Sequence, residues 1–138
     1  MNIDVLMIIN EIDDAQISNN KIRIENIIKD EYDFKRNVKF SFVLDNKSSV
    51  KILNFFIELK KNYKNLILEC FVDDKYHYNE TILNNCDIQN KVEITKELYK
   101  TLIEKNKDII FISNDKINNN QYLNMCKEKN KSIILIKI

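Results

Sequence analysis

The chain contains no glycine, no proline and no tryptophan, and only three cysteines and one histidine in 138 residues. Without glycine, every turn that needs a positive φ has to recruit asparagine or aspartate, so the Asn-rich stretches read as turns. Without proline, no cis X-Pro bond or proline kink punctuates the fold. Cys70, Cys86 and Cys126 are odd in number and far apart, which excludes a Cys-x-x-Cys zinc or redox motif and leaves reduced, structural thiols as the expectation. No apolar run reaches the roughly 18 residues of a membrane span. Met1 to Asn10 has neither a basic start nor a cleavage site, so an intracellular protein, cytoplasmic or nuclear, is expected.

A strong charge of one sign is missing too: 22 Lys and Arg stand against 21 Asp and Glu, giving a net charge of +1. Nucleic acid therefore has to be recognised by a local patch and not by a global field. What is present is a composition 44% apolar and 31% charged, which suits one packed α/β domain.

From residue 38 onward, short apolar runs alternate with amphipathic segments, the pattern of βα repeats feeding a parallel sheet. Five strands are expected: Val38 to Leu44, Leu66 to Val72, Val92 to Ile94, Ile109 to Ile112 and Ile133 to Ile138. Right-handed crossovers and a single reversal predict the order 3-2-1-4-5 in a three-layer α/β/α fold. Ser48 or Ser49 is expected to cap a helix running to about Asn65, and Thr95 to cap another in which Ile94 and Tyr99 form a hydrophobic staple. Thr81 to Cys86 and Gln121 to Lys129 read as shorter helices. In residues 1–37, Val5 to Ile9 suits either a strand or a buried helical turn, while Ile24, Ile27 and Ile28 recur at helical spacing. The favoured reading is a helical extension over 1–37 packed on a domain spanning 38–138.

Ligands of an open parallel sheet bind beyond the strand carboxyl ends, near the point where strand order reverses. Asp45 follows the first expected strand and Asp115 the fourth, while Glu97 lies in the first turn of the helix after the third. If the first and fourth strands are neighbours, the three carboxylates converge. Mutual repulsion would then disturb their pKa values unless a cation neutralised them, and Mg²⁺ or Mn²⁺ would be the natural choice. Such an ion activates water against a phosphodiester. Asp73, Asp74 and His77 could lie near the same crevice, and Tyr76 and Tyr78 could stack on bases or cover the sheet edge.

Lys39 to Ile138 resembles the NYN/PIN-like ribonuclease superfamily, most nearly its Regnase-type members. The family's first strand ends in Ile-Asp-Gly-x-Asn, and here the chain reads Val43-Leu44-Asp45-Asn46-Lys47-Ser48, with Asn46 replacing the glycine and Ser48 the asparagine. Its fourth strand ends in Ser-Asn-Asp, matched by Ser113-Asn114-Asp115, and the preceding helix opens with two acids where this chain has Lys96-Glu97. A further family acid corresponds to Asn119. The resemblance implies a metal-dependent endoribonuclease using Asp45, Glu97 and Asp115 as catalytic and metal-binding residues. Single-stranded RNA would be met by Lys47, Ser48, Ser113, Asn114 and Lys116, and a homodimer is left open. The missing acids leave, as the alternative, a degenerate domain that binds RNA or a protein without cutting. An unrelated flavodoxin-like interaction module has the same element order.

Overall fold

The computed structural model describes residues 3–75, 80–114 and 120–138. The elements run β1 (Ile3–Ile9), α1 (Asp14–Asn19), α2 (Lys21–Glu31), β2 (Val38–Val43), α3 (Lys47–Asn62), β3 (Leu66–Val72), α4 (Glu80–Asn84), β4 (Ile88–Lys91), α5 (Lys96–Lys105), β5 (Asp108–Ser113), α6 (Gln121–Glu128) and β6 (Ser132–Lys137). All strand pairs are parallel, in a six-stranded sheet of order β4-β3-β2-β1-β5-β6.

The first correction to the sequence reading is β1. Residues 1–37 are not a helical extension, because Ile3–Ile9 pairs with β2 on one side and with β5 on the other. Val5, Leu6, Met7, Ile8 and Ile9 are all at most 5% exposed, apolar towards both faces as a central parallel strand has to be. Uniform apolarity carries no period, so this run could not declare itself strand or helix. The two expected helices do follow, as α1 and α2. Consequently the strands ending at Val43 and Ser113 are not neighbours: β1 lies between them.

The third expected strand is also displaced. Its ladder runs over Ile88–Lys91, and Val92 and Ile94 instead pack, half-buried, against the α5 side of the sheet. Ile-Gln-Asn-Lys is a polar edge strand with one side open to water, which removed the apolar signal that sequence reading relies on.

Two packed layers cover the sheet. On one face, Ile17 of α1, Ile24 and Ile28 of α2, and Ile52, Leu53 and Phe56 of α3 meet Val5, Met7, Phe40 and Phe42. Phe56 contacts Phe40 and Phe42 edge-on, with centroids 4.9 and 5.2 Å apart. On the other face, Tyr99, Leu102 and Ile103 of α5 with Leu123 and Cys126 of α6 cover Leu6, Ile8, Ile109 and Phe111. The three cysteines are free and buried. Among the described residues only Asn130 takes a positive φ, 55°, closing α6 where glycine is commonly found. No helix among the described residues is long and apolar enough to cross a membrane.

Candidate functional site at the carboxyl edge of the sheet

Strand order reverses between β1 and β5, so the crevice opens between Asn10 and Ser113. Asn10 donates its backbone N–H to the Ile112 carbonyl at 3.0 Å, and its side-chain amide donates to Ser113 Oγ at 3.0 Å. Asn120 Nδ2 donates to Asn10 Oδ1 at 3.3 Å, while Asn120 Oδ1 accepts the Tyr122 and Leu123 N–H groups as the cap of α6. Two amides and a hydroxyl thus join β1, β5 and α6 at the reversal.

One strand away, Asp45 follows β2. Its Oδ2 accepts the Tyr99 hydroxyl from α5, and its Oδ1 accepts Asn46 Nδ2 at 3.0 Å. The same amide reaches the Ile9 carbonyl at 2.9 Å and so ties β2 to β1. Asn46, not Ser48 or Ser49, caps α3: its Oδ1 accepts Ser49 N–H at 2.9 Å, and Ser49 Oγ in return accepts the Asn46 N–H at 3.4 Å. Tyr99 stacks on Tyr122 with centroids 4.2 Å apart and planes 20° from parallel, bridging α5 and α6.

Burial raises the Asp45 pKa above its ordinary value, and the donors from Tyr99 and its own backbone oppose that only in part. The cause is desolvation and not the carboxylate repulsion expected from the sequence. Burial, followed by the nearby Asp45 charge, likewise raises the Tyr122 hydroxyl.

The other expected site residues differ in their exposure and partners. Glu97 is exposed in the first turn of α5, behind the Thr95 cap that accepts Leu98 N–H at 3.2 Å. Ser48 is 1% exposed, with its hydroxyl accepting Ile12 N–H at 2.8 Å and donating to the Ile12 carbonyl at 3.0 Å, so it anchors the β1–α1 loop and is closed to RNA. Ser113 is equally buried and holds Asn10. Lys47 and Asn114 are exposed at the crevice. Asp115 and Lys116 lie outside the described residues, as do Tyr76, His77, Tyr78 and Asn119.

Asp73 is a loop fastener: its carboxylate accepts Ile94 N–H at 2.9 Å and Lys75 N–H at 3.1 Å, and these donors hold its pKa below the usual carboxylate range. Among the described residues no three His, Cys, Asp or Glu groups are placed to hold a metal ion. Asp115, the third residue expected to hold a metal with Asp45 and Glu97, lies outside those residues. Sequence reasoning missed Asn10, Asn120 and Tyr122, and assigned Tyr99 only a packing role. An asparagine directly after an apolar run was the available signal for Asn10, once that run is read as a strand. No protein-family model matches this chain, and neither does any curated protein.

Proposed function

We propose that this chain is a NYN/PIN-like domain that binds single-stranded RNA at the carboxyl edge of its sheet without cutting it. The observation that carries this reading is the state of Asp45, the acid matched to the family's catalytic position by the resemblance. Both of its carboxylate oxygens are already engaged, by Tyr99 and Asn46, and burial favours its protonated form. A cation at this carboxylate would have to share it with both donors and overcome the burial that disfavours its charge. Around Asp45 stand the half-buried amides of Asn10, Asn46 and Asn120 and the half-buried Tyr122 ring, groups of the kind that hydrogen-bond base edges and stack on base faces. Three free, buried thiols suit a reducing, intracellular setting.

The second reading is metal-dependent cleavage, with Mg²⁺ or Mn²⁺ held by Asp45, Glu97 and Asp115. It is favoured by the shifted pKa of a half-buried acid at a strand end, a common mark of a working site.

One experiment separates them. Labelled single-stranded RNA is titrated with the protein by fluorescence anisotropy, and the same mixture with millimolar Mn²⁺ is followed on a denaturing gel. Saturable binding with intact RNA is expected, and Tyr122→Ala should weaken it by about tenfold through lost stacking. Cleavage that Asp45→Asn abolishes would establish the nuclease instead, and absence of binding would remove both.

A further inference from the structure

At the carboxyl edge the charges are mixed: Glu11, Asp13, Asp45, Asp73, Glu93 and Glu97 lie there together with Lys47, Lys75, Lys91 and Lys96. The opposite edge is mixed as well, with Glu31, Asp33, Asp87 and Asp108 on it, but its bases gather in the loops ahead of β2, β3 and β5. Because the six strands are parallel, every strand start lies on one side of the molecule. Lys35 and Arg36 precede β2, Lys64 precedes β3, and Lys105 and Lys107 precede β5. None of these five belongs to an ion pair among the described residues, whereas neighbouring Lys60, Lys61 and Lys129 are paired to Asp87, Glu58 and Glu104. Helix dipoles account for a lysine in a last helical turn such as Lys105. They do not account for Lys35, Arg36, Lys64 and Lys107, which lie in the connecting loops.

A second feature coincides with this patch. Between the end of α2 and the end of α3 a hollow of about 190 Å³ is walled by Tyr32, Phe34 and Tyr63 and rimmed by Lys29, Asp33 and Lys35. It is below the roughly 300 Å³ of a drug-sized pocket. A single planar ring is the right scale. The Tyr63 ring is half-buried, meets Phe34 at 5.1 Å and 70°, and carries the Lys29 ammonium 5.0 Å from its centroid. The wall is held in shape before any ligand arrives: Asp33 accepts the Lys35 N–H at 2.9 Å with its side chain and the Arg36 N–H at 3.0 Å with its carbonyl, and Asn65 Nδ2 donates to the Lys35 carbonyl at 2.7 Å. Aromatic walls with Lys29 and Lys35 beside Asp33 on the rim, and with Arg36 and Lys64 next to them in the chain, supply both parts of a single-strand site, where phosphates give attraction and bases stack.

We propose that this hollow and its rim dock single-stranded RNA, one base entering against Tyr63 while phosphates lie across Lys35, Arg36 and Lys64. This rests on the RNA-binding reading above and adds a second contact, on the opposite edge of the sheet. Duplex nucleic acid fits poorly, because its bases are already stacked and its rings cannot enter a hollow of this size.

The test is anisotropy of a labelled oligoadenylate against three proteins: wild type, Lys35→Glu/Arg36→Glu/Lys64→Glu, and Tyr63→Leu, each checked for a native thermal transition by circular dichroism. The triple variant should lose about tenfold or more in affinity and show a shallower salt dependence. Tyr63→Leu should weaken oligoadenylate binding by about tenfold and leave heparin binding unchanged, while Tyr63→Phe, which keeps the ring, should bind as wild type does. Unchanged affinity in the triple variant, with Tyr122→Ala still weakening the complex, would overturn this site and leave RNA binding at the carboxyl edge intact. Equal affinity for polyglutamate would overturn the assignment to RNA. Failure of wild type to bind RNA at low salt would overturn both readings.

Discussion

At the scale of single residues, Asp45 concentrates the chemistry of the carboxyl edge. Its pKa is raised by burial, so its neutral form fits the fold better than its charged form. A raised folded-state value means that this contribution to stability is fully present below the unfolded value of 3.8 and is lost as pH rises through the folded value. Asp45→Asn, which keeps the shape without the charge, should therefore gain stability relative to wild type as pH climbs from acid to neutral. Urea denaturation of both proteins across that range checks the sign, and parallel curves would show that Asp45 is solvated like any surface acid. Sequence reading found Asp45 from its place after an apolar strand. It did not foresee the Tyr99 hydroxyl as its partner, since that contact joins residues 54 positions apart.

Among the elements, α3 shows how one side chain serves several. Asn46 caps the helix, reaches the Ile9 carbonyl and donates to Asp45. Asn46→Ala should cost about 1–2 kcal/mol as the cap is lost. Asn46→Asp keeps a cap acceptor but removes both amide donations and sets a second carboxylate against Asp45, so it too should destabilise, and more at neutral pH than in acid. Thermal unfolding of the two variants at both pH values tests this; a fully stable Asn46→Asp would mean that the bridge to β1 contributes nothing. Sequence reading placed the start of α3 within two residues but named Ser48 and Ser49 as caps. Three capping types within four residues, Asn46, Ser48 and Ser49, left the choice to which side chain had somewhere else to go, and Ser48 went to Ile12.

The molecule as a whole depends on a strand that sequence reading treated as peripheral. β1 lies between β2 and β5, and its side chains enter both apolar layers. Deleting residues 1–37 should therefore abolish cooperative unfolding altogether, where loss of a docked helical extension would leave a folded remainder. Chemical denaturation of residues 38–138 followed by circular dichroism decides: a single sharp transition would mean that the sheet closes without β1.

Composition and pattern alone determined the α/β class, the parallel sheet and, to within a residue at their carboxyl ends, the strands that finish at Val43, Val72 and Ser113. These follow from local physics: apolar runs, helical periods and caps act over a few residues and are written in order along the chain. The tertiary structure decided the rest. An all-apolar run such as Val5 to Ile9 has no period of its own, so only its partners on both sides make it the central strand. A polar run such as Ile88 to Lys91 becomes a strand only because the edge of β3 offers it a ladder. Strand order then placed Asn10 between the ends of β2 and β5 and brought Tyr99 onto Asp45, because which carboxylates and amides share a crevice depends on long-range pairing that no local signal encodes.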